Sequence, residues 1–455
     1  MKYGKFLQKK GMIGFVAPSF GCNIDPYKSA FENALRRWKQ QGYGLDLGPN
    51  CFEGSGVGIS NTPELCGQEL TEFYLKADND CLIACGGGEL MCEVLDYVDW
   101  EKIAAAPAKW YMGFSDNTNM TYLLATICDT ASIYGPCAPS FGMKPQHRVL
   151  KDAFAILTGE GAAEHADGIC GARDYADHSK DGGNSCAPGK MEGEGIGDAA
   201  GTSYRTKKPI PKFCVHGYPK WEIEGIKDEE NPLAAYNLTE RKILKLYDGT
   251  AVNDQSLSNA GAAVSDLPLR EYSAVGSDAM LCSAASPGGN CTEGSGRKER
   301  NSGYPILTGK EIPETAFEGR LLGGCLDCLV NLLGTCYDHT DEFLEKYKED
   351  GVIWFLDACD LNVFGIRRAM WQMEHAGWFR YVKGFLIGRP LSALEPVMGL
   401  DQYQAVLDVA GRKGVPVVMD MDLGHLPPSM PLITGSYAAV HVQGNDIRVE
   451  MELRP

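Results

Sequence analysis

Short apolar runs that end on glycine or a small residue, with helix-length segments between them, constrain the first third of this chain most. Met12 to Ala17, Cys81-Leu82-Ile83-Ala84 and Trp110-Tyr111-Met112-Gly113 show no alternation of polar and apolar residues. Strands of that kind are covered on both faces. Asp25-Pro26 supplies a cap and a first-turn proline, and Phe31, Ala34, Leu35 and Trp38 then recur at helical spacing before Gly42 stops the helix. A second helix starts at Thr62-Pro63, with Leu65, Leu70, Phe73 and Tyr74 on its apolar side, and a third is expected from Leu90 to Val98. Buried strands joined by helices predict a doubly wound parallel sheet, with ligands at the carboxyl ends of its strands.

Two such ends carry chemistry-bearing residues. After Gly113-Phe114 comes Ser115, followed by Asp116 and a helix-capable segment from Met120 to Ile127. A serine on a sharp strand-to-helix turn presents its hydroxyl above the sheet, near backbone N–H groups that can bind an oxyanion. The same serine could simply cap the helix. Cys85-Gly86-Gly87-Gly88-Glu89 is the other end. A glycine turn there could hold a phosphate, but the spacing is not Gly-x-Gly-x-x-Gly and no acidic ribose partner follows. Glycine also lets backbone approach a neighbouring group closely, here Ser115.

From about 159 to 212, and again from about 253 to 303, Gly, Ala, Asp, Ser and isolated cysteines displace apolar periodicity. Both stretches read as long loop-like inserts. Phe213 to Asp248 between them reads as a segment packed on the body. Order resumes at Gly319-Arg320-Leu321-Leu322-Gly323-Gly324. Val352 to Leu356 is a buried strand ending in Asp357; a helix capped by Asp360 or Asn362 follows; Val382 to Ile387 and Pro416 to Met419 are further strands, and a hairpin closes the chain. The division is thus 1–150, an α/β domain with the serine turn; 151–318, a linker with two inserts; and 319–455, a mixed α/β domain.

The formal charge of −17 argues against nucleic acid and anionic membrane surfaces as partners. The start of the chain lacks the pattern of a secretory signal, and seventeen scattered cysteines then suit a reducing cytoplasm. Cys325-Leu326-Asp327-Cys328 has metal or redox spacing, but no second pair or nearby histidine completes a zinc site in the sequence, so neither metal nor cofactor is expected.

A serine hydroxyl becomes a nucleophile only beside a base, and the base needs an orienting carboxylate. Among eight histidines, His425 stands out: it follows a strand and is held between Gly424 and Leu426-Pro427-Pro428. Gly113-Phe114-Ser115-Asp116, the preceding glycine turn, Gly323-Gly324 with Gly334-Thr335, the strand ending in Asp357, and Gly424 to Leu432 occur in the order seen in one family. In this the chain resembles the serine peptidases comprising muropeptide LD-carboxypeptidases and microcin C immunity proteins. The resemblance implies a Ser-His-Glu triad split between two domains, with Ser115 as nucleophile, His425 as base, and Asp116 with Gly87 or Gly86 as oxyanion donors. The family's glutamate falls on Asp357, one methylene shorter, with Asp360 as a possible substitute. It also implies cleavage of a murein tetrapeptide, or of an aminoacyl-nucleotide conjugate, and a homodimer. A relative that binds ligand without catalysis is the reading of another class.

Overall fold

The computed structural model describes residues 1–161, 210–249 and 311–455. The expected insert at 253–303 and most of that at 159–212 lie outside these residues, as do His165 and His178. Among the described residues two principal sheets form, and the strands that build them are β1 (Met12–Val16), β2 (Gly44–Leu47), β3 (Cys81–Ala84), β4 (Trp110–Gly113), β5 (Ser132–Tyr134), β6 (Lys212–His216), a short pair β7 (Lys220–Trp221) and β8 (Glu240–Arg241), β9 (Lys245–Tyr247), β10 (Glu314–Cys325), β11 (Val352–Asp357), β12 (Val382–Gly388), β13 (Val417–Met421), β14 (Leu432–Thr434), β15 (Tyr437–Gln443) and β16 (Asp446–Glu452).

In the first sheet β5, β4, β3, β1 and β2 lie side by side and parallel. Alternate residues of these strands serve opposite layers. Ile13, Phe15, Ile83 and Met112 pack with Phe31, Ala34 and Trp38 of the helix Tyr27–Gln40. Val16, Leu82, Ala84 and Tyr111 pack with Cys66, Leu70 and Phe73 of the helix Pro63–Leu75. That is why these runs carry no polar alternation: a doubly wound sheet leaves neither face wet. The expected helix after the glycine turn is instead a 3₁₀ segment, Met91–Tyr97. The carboxylate of Asp116 takes the Met91 N–H and ties this start to the Ser115 turn.

The second sheet runs β6-β16-β15-β10-β11-β12-β13-β9, with a parallel centre from β10 to β13 and antiparallel strands on both flanks. The Phe213 to Asp248 segment does pack on the body, contributing most of β6 and all of β9 to opposite edges. β14 crosses to the first sheet and pairs antiparallel with β5. The helix Thr118–Thr126 is buried along its whole length and joins the halves. A side chain at Gly324 (φ +146°) would lie 2.6 Å from the Thr118 methyl, and the Cys325 N–H donates to Thr118 Oγ1 at 2.9 Å. Gly324 is therefore a contact between the halves, whereas Gly323 lies against the Phe355 backbone of β11 in its own sheet. Among the described residues no helix is long and apolar enough to cross a membrane.

Candidate active site

Six parallel strands deliver their carboxyl ends to one cleft: β1, β3 and β4 from the first sheet, β10, β11 and β13 from the second. Ser115 follows β4 at φ +63°, in the left-handed region that costs a residue with a Cβ about 1–2 kcal/mol. Around it the chain is pinned. The buried Asp116 carboxylate accepts from Ser19 Oγ at 2.6 Å, Met91 N–H at 2.9 Å and Asn119 Nδ2 at 3.1 Å. Burial raises the pKa of this carboxyl, and the three donors oppose the rise. Asn117 Nδ2 donates to the Gly86 carbonyl at 2.7 Å, binding the serine turn to the glycine turn. A Cβ at Gly87 would sit 3.0 Å from Ser115 Oγ, so bare backbone faces the hydroxyl.

The other half supplies the acid and the imidazole. Asp357 ends β11 and is buried. His425 Nε2 lies 2.7 Å from Ser115 Oγ, and its Nδ1 lies 2.9 Å from Asp357 Oδ2. The short aspartate side chain reaches the imidazole because the backbone of the His425 loop packs directly against it. At Gly424 (φ +96°) a side chain would meet Asp357 Cβ at 2.6 Å and Oδ2 at 2.8 Å. Only glycine permits that approach. Asp360 is not the imidazole's partner: it is exposed on the cleft wall, where its N–H donates to Asp327 Oδ1 at 2.9 Å. Burial disfavours the charged form of His425, but the Asp357 carboxylate, with Cys359 beside it, outweighs burial and raises the pKa to about 10.

Two supports were not legible in the sequence. Tyr134, at the end of β5, donates its hydroxyl to Asp357 Oδ1 at 2.7 Å and accepts the Ser115 N–H at 3.2 Å. One buried phenol thus joins the serine turn to the acid of the other half. Beneath the His425 loop, the fully buried Asp422 carboxylate accepts from Arg389 Nη1 at 3.0 Å, Lys242 Nζ at 3.3 Å and the Tyr218 N–H at 2.7 Å. Arg389 also donates to the Leu426 carbonyl at 3.3 Å, while Met430 N–H donates to Asp422 O at 2.7 Å. Asp152, Tyr218 and His147 cluster beside this network, and His147 caps the helix Arg148–Thr158 by accepting from Val149 N–H.

The cleft encloses about 580 Å³. Ser115 and the glycine turn line its floor, and Phe20, Ile24, Tyr27 and Lys227 line its walls. Glu89 is held above the ordinary carboxyl range by burial and by Asp360, Asp116 and Asp327. Although sequence spacing reveals no metal ligands, folding brings Cys325, Asp357 and His425 within 4.8 Å of one another. Three positions 32 and 68 residues apart make no pattern along a chain.

This arrangement can transfer a proton from a hydroxyl to a carboxylate-oriented imidazole beside free backbone, as acyl transfer requires. Solved structures with the same fold include MccF in complex with glutamyl sulfamoyl guanosine, at 16% identity over 99% of both chains and a TM-score of 0.62. An MccF-like protein from Bacillus anthracis matches at 15% identity over 100% of both chains, also with a TM-score of 0.62. A muramoyltetrapeptide carboxypeptidase from Oxalobacter formigenes matches at 15% over 97% of this chain and 98% of its own, with a TM-score of 0.55. No curated protein matches the chain. The LD-carboxypeptidase N-terminal domain matches residues 13–135 and the LD-carboxypeptidase C-terminal domain residues 318–440, together more than half of the sequence. The chain belongs to the LD-carboxypeptidase family of serine peptidases, peptidase S66.

Proposed function

We propose that this protein is a serine carboxypeptidase that cleaves the terminal amide of a murein tetrapeptide through an acyl-enzyme. The carrying observation is the unbroken chain Ser115 Oγ, His425, Asp357, with links of 2.7 and 2.9 Å. Ser115 Oγ attacks the carbonyl carbon and gives its proton to His425 Nε2, while Asp357 holds the imidazole by Nδ1. The N–H groups of Asp116 and Gly87 bind the oxyanion. Collapse breaks the C–N bond as His425 returns the proton to the leaving amine, and water then releases the acyl group by the same steps. A short, well-placed acid argues for catalysis over mere ligand binding.

Phe20 and Tyr27 at the cleft wall are 43% and 53% exposed. Exposed rings beside the nucleophile favour a second reading, hydrolysis of an aminoacyl-nucleotide conjugate with the base stacked there. A fluorophosphonate probe should label the wild type and leave Ser115→Ala unlabelled; absence of labelling in folded protein would leave a ligand-binding relative. Release of D-alanine from the tetrapeptide, against cleavage of an aminoacyl sulfamoyl adenosine, separates the two substrates. The same reading carries a cytoplasmic homodimer, which sedimentation at micromolar concentration tests.

A further inference from the structure

The mechanism leaves unused the thiols that crowd its imidazole. Cys325 ends β10 directly beside Asp357 in the parallel register, and its sulfur shares the 4.8 Å cluster with the Asp357 carboxylate and the His425 ring. Cys359, two residues beyond the acid, lies against the same ring. Both cysteines line the cleft, so it reaches the sulfur side of the cluster. Sulfur, imidazole nitrogen and carboxylate oxygen are the donors that zinc prefers, in four-coordinate geometry.

We propose that the cleft holds an inhibitory site for zinc or a similar soft divalent cation, bound by Cys325 Sγ, His425 Nδ1 and an Asp357 oxygen, with Cys359 Sγ as fourth ligand after a rotamer change. His425 Nδ1 and Asp357 Oδ2 already stand 2.9 Å apart. With Zn–N and Zn–O bonds of about 2.0–2.1 Å and Zn–S of about 2.3 Å, they need to part only slightly, and the sulfur needs to move inward. The step is redox-neutral. Each thiol loses its proton to solvent as a sulfur–metal bond forms, and Nδ1 gives up its own, to solvent from the imidazolium or to Nε2 from the neutral ring, so that Nε2 ends protonated either way. An imidazole protonated at Nε2 cannot take the proton of Ser115, so the metal-bound and hydrolytic states exclude each other. That consequence rests on the catalytic reading above, whereas the site itself does not.

Titration of the reduced full-length protein with Co²⁺ tests the site spectroscopically. Wild type should develop a thiolate-to-cobalt charge-transfer band that saturates at one equivalent, is lost in Cys325→Ser and weakens in Cys359→Ser. His425→Ala must also lose it, which keeps the test decisive if Cys325→Ser folds poorly. Zinc should suppress fluorophosphonate labelling of wild type more than tenfold, with recovery on chelation, and leave Cys325→Ser at its own metal-free rate. A cobalt band unchanged by these substitutions overturns the site; full labelling in saturating zinc overturns the inhibition. Wild type that never labels, even without metal, counts against the hydrolase alone, because the cobalt difference still reports on the site.

Discussion

The two halves of the cleft hold their functional groups by opposite means. Ser115 is held by its backbone: a left-handed residue between a strand and a buried helix, stapled through the Asp116 carboxylate. His425 is held by side-chain charge, through a loop anchored on the buried Asp422, Arg389 and Lys242. The first arrangement places strain at Ser115 itself. The second spends no strain on His425 itself, but depends on ions that water does not reach. The halves should therefore fail differently when altered.

The largest effect should come from the acid. Asp357→Asn keeps the shape but favours the wrong imidazole tautomer, a change that costs about 10⁴-fold in the best-studied triad. The pH dependence should move as well. With His425 raised to about 10, wild-type kcat/KM should climb into the alkaline range as the imidazolium loses its proton. In the variant only Cys359 still opposes burial, so the limb should fall well below that of the wild type. Stability follows the sign of the raised pKa: the pair's contribution is fully present below about 6.5 and is lost as pH rises through about 10. Urea midpoints at pH 6 and pH 10.5 should differ in the wild type and converge in the variant. A pH profile shared by both proteins would break the account of Asp357.

Next in size is the charged anchor. Asp422→Asn leaves two buried cations without their carboxylate, and breaking a buried pair in this way costs about 3–5 kcal/mol. Denaturant unfolding should register that loss, with catalysis in the surviving folded fraction weakened through His425. If stability drops by less than about 1 kcal/mol, the loop is held by something other than charge.

Tyr134→Phe should be smaller but more telling, because Tyr134 belongs to both halves. It strips one donor from Asp357 and one acceptor from the Ser115 N–H, each worth about 1–3 kcal/mol when left unpaired in the interior. Turnover should fall about 10- to 100-fold. A carboxylate with fewer donors attracts the imidazole proton more strongly, so the alkaline limb should move higher. That is the reverse of Asp357→Asn, and a purely structural role for Tyr134 would move neither limb.

What the sequence disclosed follows the same division. The parallel order, the serine turn and the histidine loop all rest on local signals, namely apolar runs, glycine at strand ends and proline beside the histidine. Tyr134 gave none, since Ser132-Ile133-Tyr134 reads as an ordinary buried strand and its hydroxyl finds Asp357 only after 223 residues. Gly424 was visible, yet its reason, the approach of backbone to Asp357, exists only in three dimensions. Asp422 and Arg389 carry no local signal of their role because the segment that supplies Lys242 and Tyr218 lies far away in the chain. The helix expected from Leu90 to Val98 is a 3₁₀ segment, Met91–Tyr97, whose start is tied by a carboxylate distant in sequence.

The smallest predicted effect tests the strained half most directly. Ser115→Gly removes the hydroxyl but suits the observed φ of +63° without penalty. Relief of the left-handed conformation is worth about 1–2 kcal/mol, against about 0.5–1 kcal/mol for the extra freedom that glycine brings to the unfolded chain. The loss of one hydroxyl contact to His425 is partly made good by water in the open cleft. The net expectation is a variant without activity that is as stable as the wild type or up to about 1 kcal/mol more so. Ser115→Ala, which keeps the Cβ and the strain, serves as the control and should be the less stable of the two. Calorimetry on the pair isolates the backbone term, since both lack the hydroxyl. Equal stability would mean that the serine turn carries no stored strain, and the contrast between the two halves of the cleft would then rest on the charged anchor alone.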